Sequence, residues 1–177
     1  TKASLDQLLS LQHSMEIAVS EADLAEIKEE MVLSGYMKDK STKKTGVKQE
    51  KSKPLHYISS DGFHMYVGKN NLQNERLTFK MANTKDLWFH SKNMPGSHVI
   101  VKLEGAEDVP DATYEEAARL AAFYSTGKTT PKVEIDYTRR GNLKKPPKSA
   151  PGYVIYHTNY SMVAIPDITG IREFKDA

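Results

Sequence analysis

The feature that most constrains this chain is a stretch that cannot form a core. Residues 38–53 carry Lys38, Lys40, Lys43, Lys44, Lys48, Lys51 and Lys53 against Asp39 and Glu50, with almost no apolar side chains. Such a stretch gains too little from burial to offset its ordering entropy. It divides the chain into a helical segment (residues 1–37), a basic linker (38–53) and a folded domain (54–177). The linker serves either as a solvated tether or as a basic arm against RNA phosphates, and its composition leaves both open.

The front segment reads as two short helices. Leu5, Leu8, Leu9, Met15 and Val19 recur at helical steps and predict one apolar stripe. Ser20-Glu21-Ala22-Asp23 reads as a capping start with an acid at the third position. Leu24, Ile27, Met31 and Val32 give the second helix its stripe, and Gly35 is placed to end it in a left-handed cap. Neither helix can bury its face alone, so each needs the other, the following domain or a further segment. A chain that starts at Thr1 rather than Met reads as a piece of a longer protein.

From Leu55 onward the texture is that of strands. Residues 55–59 and 64–68 flank Asp61-Gly62, a hairpin signal. Residues 71–83 have room for a short helix. Residues 87–90 and 98–103 read as strands joined by a Pro-Gly turn. Residues 113–125 form the clearest helix, with Ala117, Ala118, Leu120, Ala121 and Phe123 available for packing. Residues 132–137 alternate as a half-buried strand should, and 153–156 with 162–165 read as a final hairpin. The sum predicts an α+β domain: a mixed or largely antiparallel sheet of about seven strands with a few helices, preceded by two short helices.

Several classes of function drop out. Cysteine is absent, which excludes disulfides, thiol nucleophiles and thiolate zinc sites. No apolar run is long enough to span a bilayer, and residues 1–19 lack the apolar core of a signal peptide, so no membrane insertion is expected. The net charge is only +2, so any case for a nucleic-acid partner rests on local clusters.

Three local patterns carry chemistry. On a strand, Asp86, Trp88 and His90 share one face, while Leu87 and Phe89 share the other. The first face has an acceptor, a flat ring and an imidazole, which suits stacking a base and bonding a sugar or phosphate. It also suits a buried tryptophan whose neighbours satisfy local backbone. Next, Met94-Pro95-Gly96-Ser97-His98 reads as a type II turn, either plain or with N–H groups forming an anion nest. Ser97 and His98 are adjacent, which is poor catalytic geometry, and no carboxylate completes a triad, so no enzymatic activity is expected. His90 and His98 read as satisfied polar histidines rather than metal ligands. Last, Lys128, Lys132, Arg139, Arg140, Lys144, Lys145 and Lys148 form a basic run against Glu134 and Asp136, and Tyr137 and Tyr153 flank its part from Arg139 to Lys148. Cations beside aromatics fit an RNA contact, and a solvated loop fits as well. Pro146-Pro147 stiffens this run.

An ordered series of motifs resembles the NFACT-R domain of RqcH/NEMF-type proteins. The series is Val67-Gly68-Lys69-Asn70-Asn71-Leu72-Gln73-Asn74-Glu75, Leu77-Thr78, Asp86-Leu87-Trp88-Phe89-His90 and Pro95-Gly96-Ser97-His98-Val99. Glu116-Ala117-Ala118, residues 133–138, Lys144-Lys145 and Pro151-Gly152 continue it, and the resemblance runs from about residue 57 to 165. The segment from Ala25 to Tyr36 resembles what precedes this domain in bacterial members. In Gram-positive bacteria the group carries a fibronectin/fibrinogen-binding label (FbpA and PavA). The resemblance implies an RNA-binding module of a factor that rescues stalled large ribosomal subunits, binds tRNA and that subunit, and supports C-terminal alanine tailing. It implies a cytoplasmic protein with no cofactor and no metal. The RNA-binding residues would be Asp86, Trp88, His90, Pro95, Gly96, Ser97, His98, Arg139, Arg140, Lys144, Lys145 and Lys148. The alternative it carries is a virulence-related adhesin module that binds fibronectin or fibrinogen at the cell surface without a signal peptide. The family's N-terminal domain and helix-hairpin-helix module have no counterpart in these residues.

Overall fold

The computed structural model describes residues 2–38 and 51–175. Most of the expected basic linker therefore lies outside the described residues. Helices α1 (Lys2–Ile17) and α2 (Glu21–Leu33) lead into β1 (Leu55–Ile58) and β2 (His64–Val67). A short α3 (Asn71–Arg76) runs directly into a π-helical turn (Leu77–Met81). Then come β3 (Leu87–Ser91), β4 (Val99–Val101), α4 (Asp111–Phe123), β5 (Val133–Arg139), β6 (Tyr160–Ala164) and β7 (Arg172–Glu173). The strands make one seven-stranded sheet in the order β6-β5-β3-β4-β2-β1-β7. Every neighbouring pair is antiparallel. This is the expected α+β class.

Both faces of the sheet are covered. Tyr57, Met65, Val67, Leu87, Phe89, Val99, Val101, Val133 and Ile135 point to one face and pack on α4. Helix α4 meets them with Leu120 and with Ala117, Ala118, Ala121 and Ala122, and the small alanine side chains let the helix lie close. On the opposite face, Trp88 and Ile100 are register partners. With Leu77 and Leu143 they form a second, smaller core, flanked by Tyr66, Phe79, Ala82, Val154 and Tyr156. The α3–π segment and residues 143–156 therefore roof this second face.

The local signals explain most elements. Gly62 takes φ 88° in the β1–β2 turn, and its N–H bonds the Ser59 carbonyl at 2.9 Å. Ser20 caps α2 by accepting the Asp23 N–H at 3.2 Å, while the Asp23 carboxylate accepts the Val19 N–H at 2.9 Å. Gly35, at φ 80°, ends α2: its N–H bonds the Val32 carbonyl, and that of Tyr36 bonds the Met31 carbonyl. This is the six-to-one pattern of a Schellman cap.

Three expectations need correction. The stripe assigned to α1 faces outward: Leu5, Leu8, Leu9 and Met15 are exposed, and Val19 is 81% exposed. The buried residues of α1 are Leu11, His13 and Ser14. In α2 they are Asp23, Glu26, Ile27 and Glu30, whereas Leu24 is exposed. The reason is that the helices dock on a polar surface. Asp23 pairs with Lys69 at 2.7 Å, Glu26 with Arg76 at 2.5 Å and Asn70 at 2.9 Å, and Glu30 accepts from Asn71 at 3.1 Å. Ser52, in the expected linker, is buried between Asp23 and Gln73. Second, residues 153–156 do not pair with residues 162–165. Strand β6 instead extends the sheet on β5, and Ile155 bridges Lys144. Third, the Pro95-Gly96 turn is not type II, because Gly96 is not among the residues with positive φ; Asn93, at φ 54°, takes the left-handed position.

Candidate nucleic-acid interface

The strand β3 expected to present a stacking face presents none. Trp88 is 1% exposed, sealed by Leu77, Ile100 and Leu143. Its ring lies parallel to His90 at 5.6 Å, meets His98 edge-on at 5.4 Å and tilts against Tyr156 at 5.2 Å. The alternation of Trp88 with Leu87 and Phe89 is real; what it does not announce is the second roof. Trp88 Nε1 is buried and has no hydrogen-bond acceptor among the described residues.

Asp86 is spent on the fold as well. It accepts from Lys102 Nζ at 2.6 Å, from the Asn83 N–H at 2.8 Å and from the Leu103 N–H at 2.9 Å, so it pins two loops. His98 is buried, and its Nδ1 bonds the Thr78 hydroxyl at 2.8 Å. Burial lowers the pKa of His90, against hydrogen bonds to the Ser91 and Gly96 backbone that raise it. Burial sets His98 well below the ordinary histidine value, and the neighbouring His90 adds to the effect. Both rings are therefore neutral at pH 7, not cationic phosphate ligands.

The turn at 94–98 is likewise tied down. The Ser97 N–H donates to the Tyr124 carbonyl at 2.9 Å, and the His98 N–H to Asn74 Oδ1 at 3.1 Å. The Pro95 carbonyl accepts from the Thr126 N–H at 3.1 Å. With the Ser97 and His98 donors used, no anion nest remains there. Gly96 is needed for close approach: a Cβ would stand 2.5 Å from Ser91 Oγ and 3.2 Å from Ser125 Cβ.

The basic run divides into braces and free cations. The Arg139 guanidinium donates to the carbonyls of Lys85 at 2.8 Å and Glu107 at 3.1 Å. Arg140 donates from Nε to the Thr78 carbonyl at 2.8 Å and lies over the Phe79 ring at 4.7 Å. Lys145 pairs with Glu75 at 2.9 Å and bonds the Ala150 carbonyl. Lys144 and Lys148 are exposed, and their ammonium groups meet no partner among the described residues. Tyr153 is exposed on the same segment. Of the twelve residues that the sequence points to, the structure thus offers Lys144 and Lys148 as surface charge unpaired among the described residues. Lys80, which no sequence motif singles out, is also exposed and without a partner among the described residues. It follows Phe79 in the π-helical turn, a geometry no sequence period announces.

Among the described residues no group of three or more His, Cys, Asp or Glu side chains is placed to hold a metal ion. Among them too, no helix is long and apolar enough to cross a membrane.

Comparison with known proteins gives a consistent set. The sequence model of the NFACT protein RNA binding domain matches residues 53–157. The Rqc2 homolog RqcH of Streptococcus pneumoniae strain D39 is 39% identical over 176 residues, 99% of this chain and 31% of that protein. The Rqc2 homolog RqcH of Bacillus subtilis is 36% identical over 96% of this chain and 29% of that protein. The chain thus spans about a third of these relatives. A solved structure of the C-terminal part of the fibronectin/fibrinogen-binding protein from Streptococcus suis is similar with a TM-score of 0.85 at 35% identity. It covers 97% of this chain and 68% of that one.

Proposed function

Because the chain belongs to the NFACT protein RNA binding domain family, we propose that it is an RNA-binding module of a ribosome-associated quality-control factor. The observation that carries this reading is the segment from the end of β5, where Arg139, Arg140 and Lys145 brace a frame from which Lys144 and Lys148 project with no partner among the described residues. Unpaired cations on a fixed frame bind phosphates by releasing counterions, largely without regard to sequence. The finer reading is contact with tRNA and the large ribosomal subunit, within a protein that rescues stalled subunits and supports C-terminal alanine tailing. Its relatives named as Rqc2 homologs favour this context. A second reading, fibronectin or fibrinogen binding, is favoured by the name of the Streptococcus suis structure. The same cationic surface would then serve an acidic protein partner.

The test is a titration of tRNA and of ribosomal RNA at several salt concentrations. Replacing Lys144 and Lys148 with Gln should flatten the slope of log K against log salt by about 1.4–1.8, from ~0.7–0.9 for each phosphate no longer neutralised. An unchanged slope would mean that the segment is only solvated surface. Fibronectin added to the RNA complex distinguishes the second reading: displacement of RNA places both on one surface.

A further inference from the structure

A groove of about 400 Å³ opens between α2 and the α3–π segment. Leu72 and Phe79 are its apolar side chains. Arg76, Lys80 and Lys145 are its cations, and Glu29 and Glu75 its acids. Two of the cations already have partners, Arg76 with Glu26 and Lys145 with Glu75. Lys80 has none among the described residues. The Phe79 ring is pre-set. The helix widens to π spacing at Leu77, whose carbonyl accepts the Ala82 N–H at 3.0 Å. The Thr78 carbonyl accepts Arg140 Nε instead, and the guanidinium then lies on Phe79. Single π turns inside helices recur at functional sites.

We propose that this groove takes one unstacked nucleotide of a single-stranded RNA, its base against Leu72 and Phe79 and its phosphate at Lys80. The inference rests on the RNA-binding reading above. Three observations carry it. The volume lies in the range of small-ligand sites, about 300–1,000 Å³. An aromatic ring beside an aliphatic side chain accepts the face of any base, which single strands expose and duplexes hide. One cation is also left to meet a phosphate: Arg76 is taken by Glu26 and Lys145 by Glu75, which leaves Lys80 beside Glu29, and Lys144 and Lys148 continue the cationic path on the segment that holds Lys145. A helical peptide fits poorly, because two apolar side chains cannot receive its i, i+3, i+4, i+7 stripe.

The experiment uses the whole chain with a short single-stranded RNA and a duplex of the same length. Lys80→Gln changes an exposed side chain with no partner among the described residues, so the fold is retained, and a thermal melt checks this. It should weaken the single strand about five-fold and the duplex less than two-fold, since only the single strand can insert a base beside the phosphate contact. Phe79→Leu keeps apolar volume, removes the π face and should act in the same selective way. A single strand carrying 5-iodouridine should crosslink to Phe79. Equal weakening of both RNAs, or crosslinks confined to other residues while RNA remains bound, would overturn the groove and leave the RNA reading intact. If the unaltered chain binds neither RNA, both fail.

Discussion

Trp88→Ala should unfold the protein more easily without touching its contact with RNA. The indole is 1% exposed and sits among Leu77, Ile100 and Leu143, with three aromatic neighbours at 5.2–5.6 Å. Removing a fully buried Trp to Ala costs about 3–5 kcal/mol, from lost transfer energy and the cavity left behind. For a chain of this length, 1 kcal/mol moves Tm by about 2–4 °C, so the fall should be about 6–20 °C. Trp88→Phe is the informative partner. It keeps a ring and removes the Nε1–H, which is buried with no acceptor among the described residues. An unmade buried hydrogen bond costs about 1–3 kcal/mol, which offsets much of the lost packing. The Phe variant should therefore lie within about 1.5 kcal/mol of the parent. Trp88 is the chain's one tryptophan, so unfolding is followed by far-UV circular dichroism, with an RNA titration of the folded fraction beside it. An unchanged melt with lost RNA affinity in Trp88→Ala would refute the reasoning and restore the ring as a stacking platform.

Two more outcomes follow from buried ionisable groups. Burial lowers the pKa of His13, His90 and His98, so as pH falls below about 6.5 the unfolded chain takes up protons first and stability drops. The drop is at most about 1.4 kcal/mol per pH unit for each histidine still neutral in the folded state, and it ends at the folded pKa values; a denaturation midpoint constant from about pH 7.5 to 5.5 would contradict it. For Asp23, burial favours the neutral acid, but Lys69, the Ser52 hydroxyl and the Val19 N–H outweigh this and hold the carboxyl below its ordinary value. Asp23→Asn leaves Lys69 buried and unpaired, a loss of about 3–5 kcal/mol, and amide exchange should quicken in α2 while β3 stays protected; equal quickening in both would show that the helices and sheet unfold as one unit.

How much of the fold is legible in the sequence depends on whether a signal is local. The β1–β2 hairpin, α4 and β5 are readable because Asp61-Gly62, the alanine-rich face and the alternation at 133–137 act within a few residues. The burial of Trp88 has a signal in the sequence, but it lies on another strand. Val99-Ile100-Val101 is an unbroken apolar run, the mark of a strand buried on both faces. A strand paired to it, with Trp88 opposite Ile100, must share that second core. The docking face of α2 has a signal too. Asp23, Glu26 and Glu30 repeat at helical spacing, and the apolar stripe draws attention away from them. Lys144 and Lys148 are legible as members of a basic run, but not as the members that stay free. Arg139 finds the Lys85 carbonyl 54 residues away, and Arg140 finds that of Thr78 at a separation of 62. Only the assembled sheet brings such acceptors to the guanidinium groups, so adjacent basic residues in the chain divide into braces and ligands by topology.

That division bears on affinity. A floppy basic loop would have to be ordered as it met RNA, at roughly 0.5–1.5 kcal/mol for each side chain immobilised, with loop ordering added. Here residues 143–156 are already fixed by the two-way Lys144–Ile155 backbone pair, by Lys145 on Glu75 and by the Ser149 N–H on the Pro146 carbonyl at 3.2 Å. Lys148 sits at φ 60°, a left-handed conformation sparsely used by residues other than glycine. Such a conformation persists where the surroundings over-determine it. The Ser149 hydroxyl, which bonds the Pro146 carbonyl at 2.7 Å, is one such restraint. With the backbone positions of Lys144 and Lys148 set before any ligand arrives, what is left to order is the two side-chain stems. Phosphate binding at this segment should therefore be salt-sensitive but only weakly dependent on loop length, whereas cutting the Glu75–Lys145 pair should weaken it without removing a single exposed charge from Lys144 or Lys148.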